Sequence, residues 1–175
     1  MNRIVSVIVN NKPGVLNRVT ALFMRRGFNI QSITVGSTEA EGQSRMTIVV
    51  ADMDEPDIEQ MMKQLHKQID VLKVTQVTEQ PMVARELALI RVHSPVQTRG
   101  VLSTMIDPFR AAIIDVGLET VTIQAVGKPE KVDALIALLR PYGIKELART
   151  GVTALSRDSD TVGEVARLQA NTLSI

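Results

Sequence analysis

The sequence lacks nearly every residue type on which reactive sites are built. It has no cysteine and no tryptophan, which excludes disulfides, thiolate nucleophiles and cysteine metal sites. Its two histidines, His66 and His93, stand in no spacing such as H-x-x-x-H with a third ligand near it. They read as ordinary surface or boundary residues, and no metal is expected. Aromatics make up 2% of the chain, too few for platforms on which bases stack. Lys and Arg total 20 against 19 Asp and Glu, so no overall field draws nucleic acid. No apolar run approaches the roughly 18 residues that mark a membrane span. The opening Met1-Asn2-Arg3-Ile4-Val5-Ser6 has no basic region, apolar core or cleavage site of a secretory leader, so the expected location is the cytoplasm.

Motifs of chemistry are missing as well. The chain contains no G-x-x-x-x-G-K-[ST] phosphate loop and no G-x-G-x-x-G dinucleotide turn. It offers no Ser-His-Asp or Cys-His arrangement. Asp, Glu and Arg are plentiful, and small α/β units do carry catalysis, but no cofactor signature accompanies them. The 175 residues, 45% hydrophobic and 22% charged, suit a globular protein of one ordinary domain or two small ones.

Periodicity favours two. Arg3 to Val9 is rich in β-branched residues, and Asn10-Asn11-Lys12-Pro13-Gly14 interrupts it with turn formers. Val15, Leu16, Val19, Leu22 and Phe23 then recur at helical spacing, stopped by Arg25-Arg26-Gly27. Strands are expected from Asn29 to Gly36 and from Ser44 to Ala51. A helix carries Ile58, Met61, Met62 and Leu65, and a strand runs from Val71 to Val77. This βαββαβ order closes most simply as a ferredoxin-like sheet with its helices on one face. After a linker over Thr78 to Ala84 the order repeats. Glu86 to Val92, Ala111 to Val116 and Thr120 to Val126 read as strands. Helices are marked by Val101, Leu102, Met105 and Ile106, then by Val132, Leu135, Ile136 and Leu139, and Ile144 to Leu155 reads as the last strand. The expected fold is α+β: residues 1–78 form one ferredoxin-like domain, 84–157 a second, and 158–175 a tail that docks as a short helix or stays loose.

The most informative stretch is Asn11-Lys12-Pro13-Gly14-Val15-Leu16. Pro-Gly fixes a tight turn, and a helix begins at once. Its first N–H groups have no intrahelical acceptor and lie at the positive end of the helix dipole. A small carboxylate docks readily at such a place. Asn11 offers an amide donor and an acceptor, as a zwitterion requires. The same residues also make a plain strand-to-helix turn capped by asparagine. Asn29, where the first helix hands over to the next strand, reads either as a ligand contact or as a turn residue.

Strand, [DN]-x-P-G-[VAL]-L turn, helix, then Gly27-Phe28-Asn29-Ile30 resembles the ACT domain, a regulatory amino-acid-binding module. More narrowly, Asn11 to Val19, Leu22 to Val35, Ser44 to Ile48, Gln64 to Lys67 and Asp70 to Val74 resemble the small subunit of acetohydroxyacid (acetolactate) synthase. Arg85 to Ile90, Ile113 to Val116 and Ala148 to Val152 extend that resemblance through the second half. It covers roughly residues 2 to 157 and says nothing of the tail.

The resemblance implies a non-catalytic subunit that joins a separate catalytic large subunit. Thiamine diphosphate, Mg²⁺ and FAD reside on that partner, and no cofactor is expected on this chain. The small subunit raises the partner's activity and confers feedback inhibition by a branched-chain amino acid, usually valine. The effector lies between two ACT domains of a homodimer. Asn11, Gly14, Val15 and Leu16 of one chain are expected on one side of it, and Asn29 and Ile30 of the other chain on the opposite side. Other readings are an ACT sensor serving a different biosynthetic enzyme, or an RNA-recognition domain of the same strand order. The RNA reading calls for exposed aromatics on the central strands, where this chain has Ile33, Val35, Met46 and Ile48.

Overall fold

Alternation along strand β1 (Arg3–Asn10) sends Val5, Val7 and Val9 to one face, and all three are buried. The structure, a computed structural model, describes residues 2–51 and 54–157. Helix α1 (Val15–Arg25), strands β2 (Ile30–Ser37) and β3 (Gln43–Val50), helix α2 (Glu55–His66) and strand β4 (Val71–Gln76) follow β1. They form an antiparallel sheet of order β2-β3-β1-β4. Val7 stands opposite Met46 on one side and Val74 on the other. The helices add Val15, Val19, Leu22 and Phe23, then Ile58, Met61 and Leu65, to the same core.

The helix ends follow their local chemistry. Helix α2 starts where the Asp54 side chain accepts the Asp57 N–H at 3.0 Å, with Pro56 in the first turn. Glu55 and Asp57 sit at its positive end. Next to Asp54, burial raises the Asp57 carboxyl above its ordinary value, and the Asp54 charge and hydrogen bond add to that. Helix α1 closes as its sequence predicts. Gly27 has φ 73°, and its N–H donates to the Met24 carbonyl at 3.1 Å.

The second unit repeats the plan with strands β5 (Met82–His93), β6 (Ala112–Val116), β7 (Thr120–Gly127) and β8 (Ile144–Arg149), and β9 (Thr153–Ser156) follows, grouped from Ala154 onward with the first unit. The helices of the second unit are α3 (Arg99–Ile106) and α4 (Pro129–Leu139). The sheet order is β6-β7-β5-β8, and β9 also pairs with β5. Ala88, Ile90 and Val92 of β5 pack under Leu102 and Ile106 of α3 and under Val132, Leu135 and Leu139 of α4. The chain divides into two compact units, one of Met1–Val83 joined by a stretch beginning at Ala154, the other of Ala84–Thr153. The α+β, ferredoxin-like plan expected from the sequence is present in each.

Three details differ from the sequence expectations. Strand β5 begins at Met82, inside the stretch read as linker. The helix marked by Val101, Leu102, Met105 and Ile106 is present as α3, but its flanks are single 3-10 turns, Val96–Thr98 after Pro95 and Asp107–Phe109 containing Pro108. The last strand, read as continuous, breaks at Gly151, whose φ of 81° ends one segment before the next begins. The expected tail, 158–175, lies outside the described residues.

The break is held by Arg149 and Thr150. Thr150 Oγ1 accepts the Leu87 N–H at 3.1 Å. Arg149 donates to Glu86, whose side chain is only 3% exposed, and to Asp133 on α4 at 2.7 Å. Burial disfavours the Arg149 charge, but the hydrogen bonds to Glu86 and Asp133 and their charges outweigh it, and its pKa is raised. Arg149→Met strands the Glu86 carboxylate in the interior. The expected loss is about 3 kcal/mol, the low end for breaking a buried pair because Arg149 is itself partly exposed. That corresponds to a fall of roughly 12 °C in the melting of the second unit by circular dichroism; an unchanged melt would show that Glu86 is solvated without its partner.

Candidate effector site

The turn between β1 and α1 is built from three sides. The Asn11 N–H donates to the Gly42 carbonyl at 2.7 Å, tying the turn to the β2–β3 loop. The Asn10 N–H donates to the Asp70 carbonyl at 2.8 Å, tying it to the start of β4. Within the turn the Lys12 N–H reaches back to the Asn10 carbonyl at 2.9 Å. Gly14 then takes φ 82° and ψ −7°, the left-handed geometry that glycine adopts without a steric penalty. A Cβ built there meets nothing within 4 Å, so the position is constrained by its dihedral and open in space.

Gly14 itself is the N-cap of α1, and no side chain caps the helix. The sequence alternative of an asparagine cap is therefore not what the structure has. No carbonyl or side-chain acceptor among the described residues takes the Leu16 or Asn17 N–H, as first-turn geometry requires. Asn11 and Gly14 are exposed, and Val15 is buried in the core. Leu16, placed by periodicity on the inner face, is instead 44% exposed and stands beside those open N–H groups. It sits one residue after Val15, and a rotation of about 100° separates neighbours on a helix.

Asp70 is the residue here whose role the sequence did not reveal. Its side chain is 10% exposed and pairs with Arg18 of α1 and, at 3.6 Å, with Lys12 of the turn. The carboxylate thus pins both ends of the turn and engages its two nearby cations. Arg18 lies 52 residues before Asp70, a separation across which no local pattern connects them.

Asn29 and Ile30 lie elsewhere. Ile30 is in register with Val50 of β3, which pairs with Arg3 at the start of β1. At the far end, Ser37 is in register with Ser44, which pairs with Val9. β2 therefore runs parallel to β1 with β3 between them. The seven steps of β2, at about 3.3 Å each, separate the two residue sets by roughly 23 Å along the sheet. One chain does not bring them together. Asn29 is exposed, and Ile30 is partly buried against the core. β2 is also an edge strand, paired on one side with β3.

Nothing else in the described residues competes as a reactive centre. No group of three or more His, Cys, Asp or Glu is placed to hold a metal among them, and no helix among them is long and apolar enough to cross a membrane.

A β2-β3-β1-β4 sheet with both helices on one face, and an N–H-rich turn at the end of β1, define an ACT-type regulatory module. The family profile "AHAS small subunit-like ACT domain" matches residues 5–73, and "Small subunit of acetolactate synthase" matches residues 85–158. An acetolactate synthase small subunit of Bacillus subtilis is 55% identical over 157 residues, covering 90% of this chain and 91% of that protein. One from Mycolicibacterium smegmatis is 51% identical over 158 residues, covering 90% and 92%. The crystal structure of the acetolactate synthase small subunit from Thermotoga maritima superposes with a TM-score of 0.82 at 43% identity, over 90% of this chain and 98% of that one. The chain belongs to the acetolactate synthase small-subunit family.

Asp70→Asn removes the charge that holds Arg18 and Lys12 while keeping the side-chain shape. The expected cost in overall stability is about 1 kcal/mol, since both cations are largely solvated. Amide hydrogen exchange at Asn11 and Arg18, whose N–H groups donate to the Gly42 and Gly14 carbonyls, is expected to speed up relative to the core of α1. Exchange unchanged at those two amides would remove Asp70 from the turn's support.

Proposed function

We propose that this chain is the regulatory subunit of an acetolactate synthase. It associates with the catalytic large subunit, raises its activity, and confers feedback inhibition by a branched-chain amino acid, with valine the expected effector. Carboligation, with thiamine diphosphate, Mg²⁺ and FAD, belongs to the large subunit. Family membership supports this assignment over an ACT sensor serving another enzyme.

The observation that carries the effector reading is the placement of the two residue sets at opposite ends of one sheet. A second copy related by a two-fold axis and joined along the free edge of β2 runs antiparallel to the first. Asn29 and Ile30 of one copy then come level with the turn of the other. In that arrangement the open N–H groups at the start of α1 and the Asn11 amide receive the carboxylate and ammonium of an amino acid. Exposed Leu16, with Ile30 from the second copy, receives its aliphatic side chain. Inhibition then follows as an equilibrium shift set by the effector's differential affinity for two states of the holoenzyme.

The test compares Gly14→Asp with Gly14→Asn by titration calorimetry and in the reconstituted holoenzyme. Both side chains tolerate the left-handed geometry, both fit the open space, and they differ in charge. Gly14→Asn is expected to retain valine binding, weakened a few-fold by dihedral strain. Gly14→Asp is expected to bind at least about tenfold more weakly still. Like charges at about 4 Å repel by about 1 kcal/mol in water and about 4 kcal/mol near a protein surface. Valine inhibition is expected to vanish with it. Equal affinities for the two variants would sink the turn assignment, and a large subunit indifferent to this chain would sink the function.

A further inference from the structure

The second unit contains a cavity of about 490 Å³ lined by Arg85, Arg110, Gly127, Lys128, Glu130 and Lys131 among others. From its geometry we infer an anion-binding site, distinct from the amino-acid effector site, for a small molecule carrying two or more adjacent phosphoryl groups.

Three separate segments deliver the cations. Arg85 comes from β5, next to Glu86, which is in register with Gly127 at the end of β7. Lys128 and Lys131 come from the first turn of α4, and Arg110 from the turn after Phe109. Four positive side chains face one carboxylate, Glu130, in a chain whose charges otherwise nearly cancel. None of the four cations joins an ion pair among the described residues. Arg85 donates only to the neighbouring Ala84 carbonyl, at 2.7 Å. Four like charges gathered around a single counter-charge favour a bound polyanion.

Two backbone features favour the same occupant. Arg110 has φ 50°, the one positive φ at a non-glycine residue among those described. Strain of this kind is sustained where the surrounding structure enforces it, and it gathers at functional positions. Helix α4 begins at Lys128 with no side-chain cap, and Pro129 follows it. Within that turn the Lys131 and Val132 N–H groups donate to the Lys128 carbonyl at 3.0 and 3.1 Å and Pro129 has none, which leaves the Glu130 N–H as the amide open to an external acceptor. Gly127 makes room for Lys131: a Cβ there would stand 2.8 Å from Lys131 Cδ, so the lysine stem lies directly over the glycine. Phosphoryl oxygens suit the set better than a single carboxylate, because two guanidinium forks and two ammonium groups exceed what one unit charge neutralises.

Titration calorimetry of the full chain with inorganic pyrophosphate, at constant ionic strength and with inorganic phosphate and malonate as comparisons, tests the site. Saturable binding is expected in the order pyrophosphate, phosphate, malonate. Arg110→Gly relieves the left-handed strain while deleting the cation, so the fold is kept and pyrophosphate affinity is expected to fall about tenfold or more. Glu130→Gln removes the opposing charge and is expected to tighten binding several-fold, an outcome that misfolding does not produce. A Lys63→Ala, Lys67→Ala pair on α2 controls for general charge and is expected to change nothing. Absence of saturable binding, equal losses in Arg110→Gly and the control pair, or unchanged affinity in Glu130→Gln would each overturn the inference. Valine titrations of the same variants are expected to match wild type, which separates this site from the effector reading.

Discussion

Burial of three alternate valines on a strand that must be hydrogen-bonded on both edges organises the first unit. Val5, Val7 and Val9 reach the interior because β1 lies between β3 and β4, and that central place puts the end of β1 at an open rim of the sheet. The chain there has to turn away from its neighbours and enter a helix, which leaves first-turn N–H groups without partners. The same topology makes β2 an edge strand running parallel to β1. Exposure of the turn and distance of Asn29 from it are therefore two results of one packing requirement, before any ligand is considered.

The second unit uses the same plan for different ends. Its core is as apolar as the first, with Ala88, Ile90 and Val92 as the counterpart of the β1 valines. Its helix starts carry another chemistry. α1 is entered through glycine and asparagine, whereas α4 is entered between lysines with an arginine from each of two other segments nearby. A shared fold thus does not predict a shared ligand, and function is argued from the residues at each rim.

Much of this was legible in the sequence, for reasons that differ by element. Periods of 3.6 and 2 placed the strands and helices, because each has one buried face. The same logic misplaced Leu16: the periodic template admits a residue beside Val15, but the first turn of α1 rotates it outward. Gly151 was visible, yet the β-branched residues around it masked the break that its φ imposes. The identities of the candidate effector residues came from resemblance to a family. That they lie at opposite ends of the sheet follows only from strand register. Asp70, with Arg18 52 residues away, was beyond sequence reasoning because nothing local links a carboxylate to a cation at that separation.

The adjacency of Val15 and Leu16 has a mechanical consequence. Val15 is locked among the β-sheet valines and Leu22, while Leu16 stands in the open. A single peptide plane separates a solvent-facing handle from a close-packed interior that resists compression. The backbone beneath Leu16 is therefore held as firmly as that of Val15, and what stays free to turn in solvent is the leucine side chain alone.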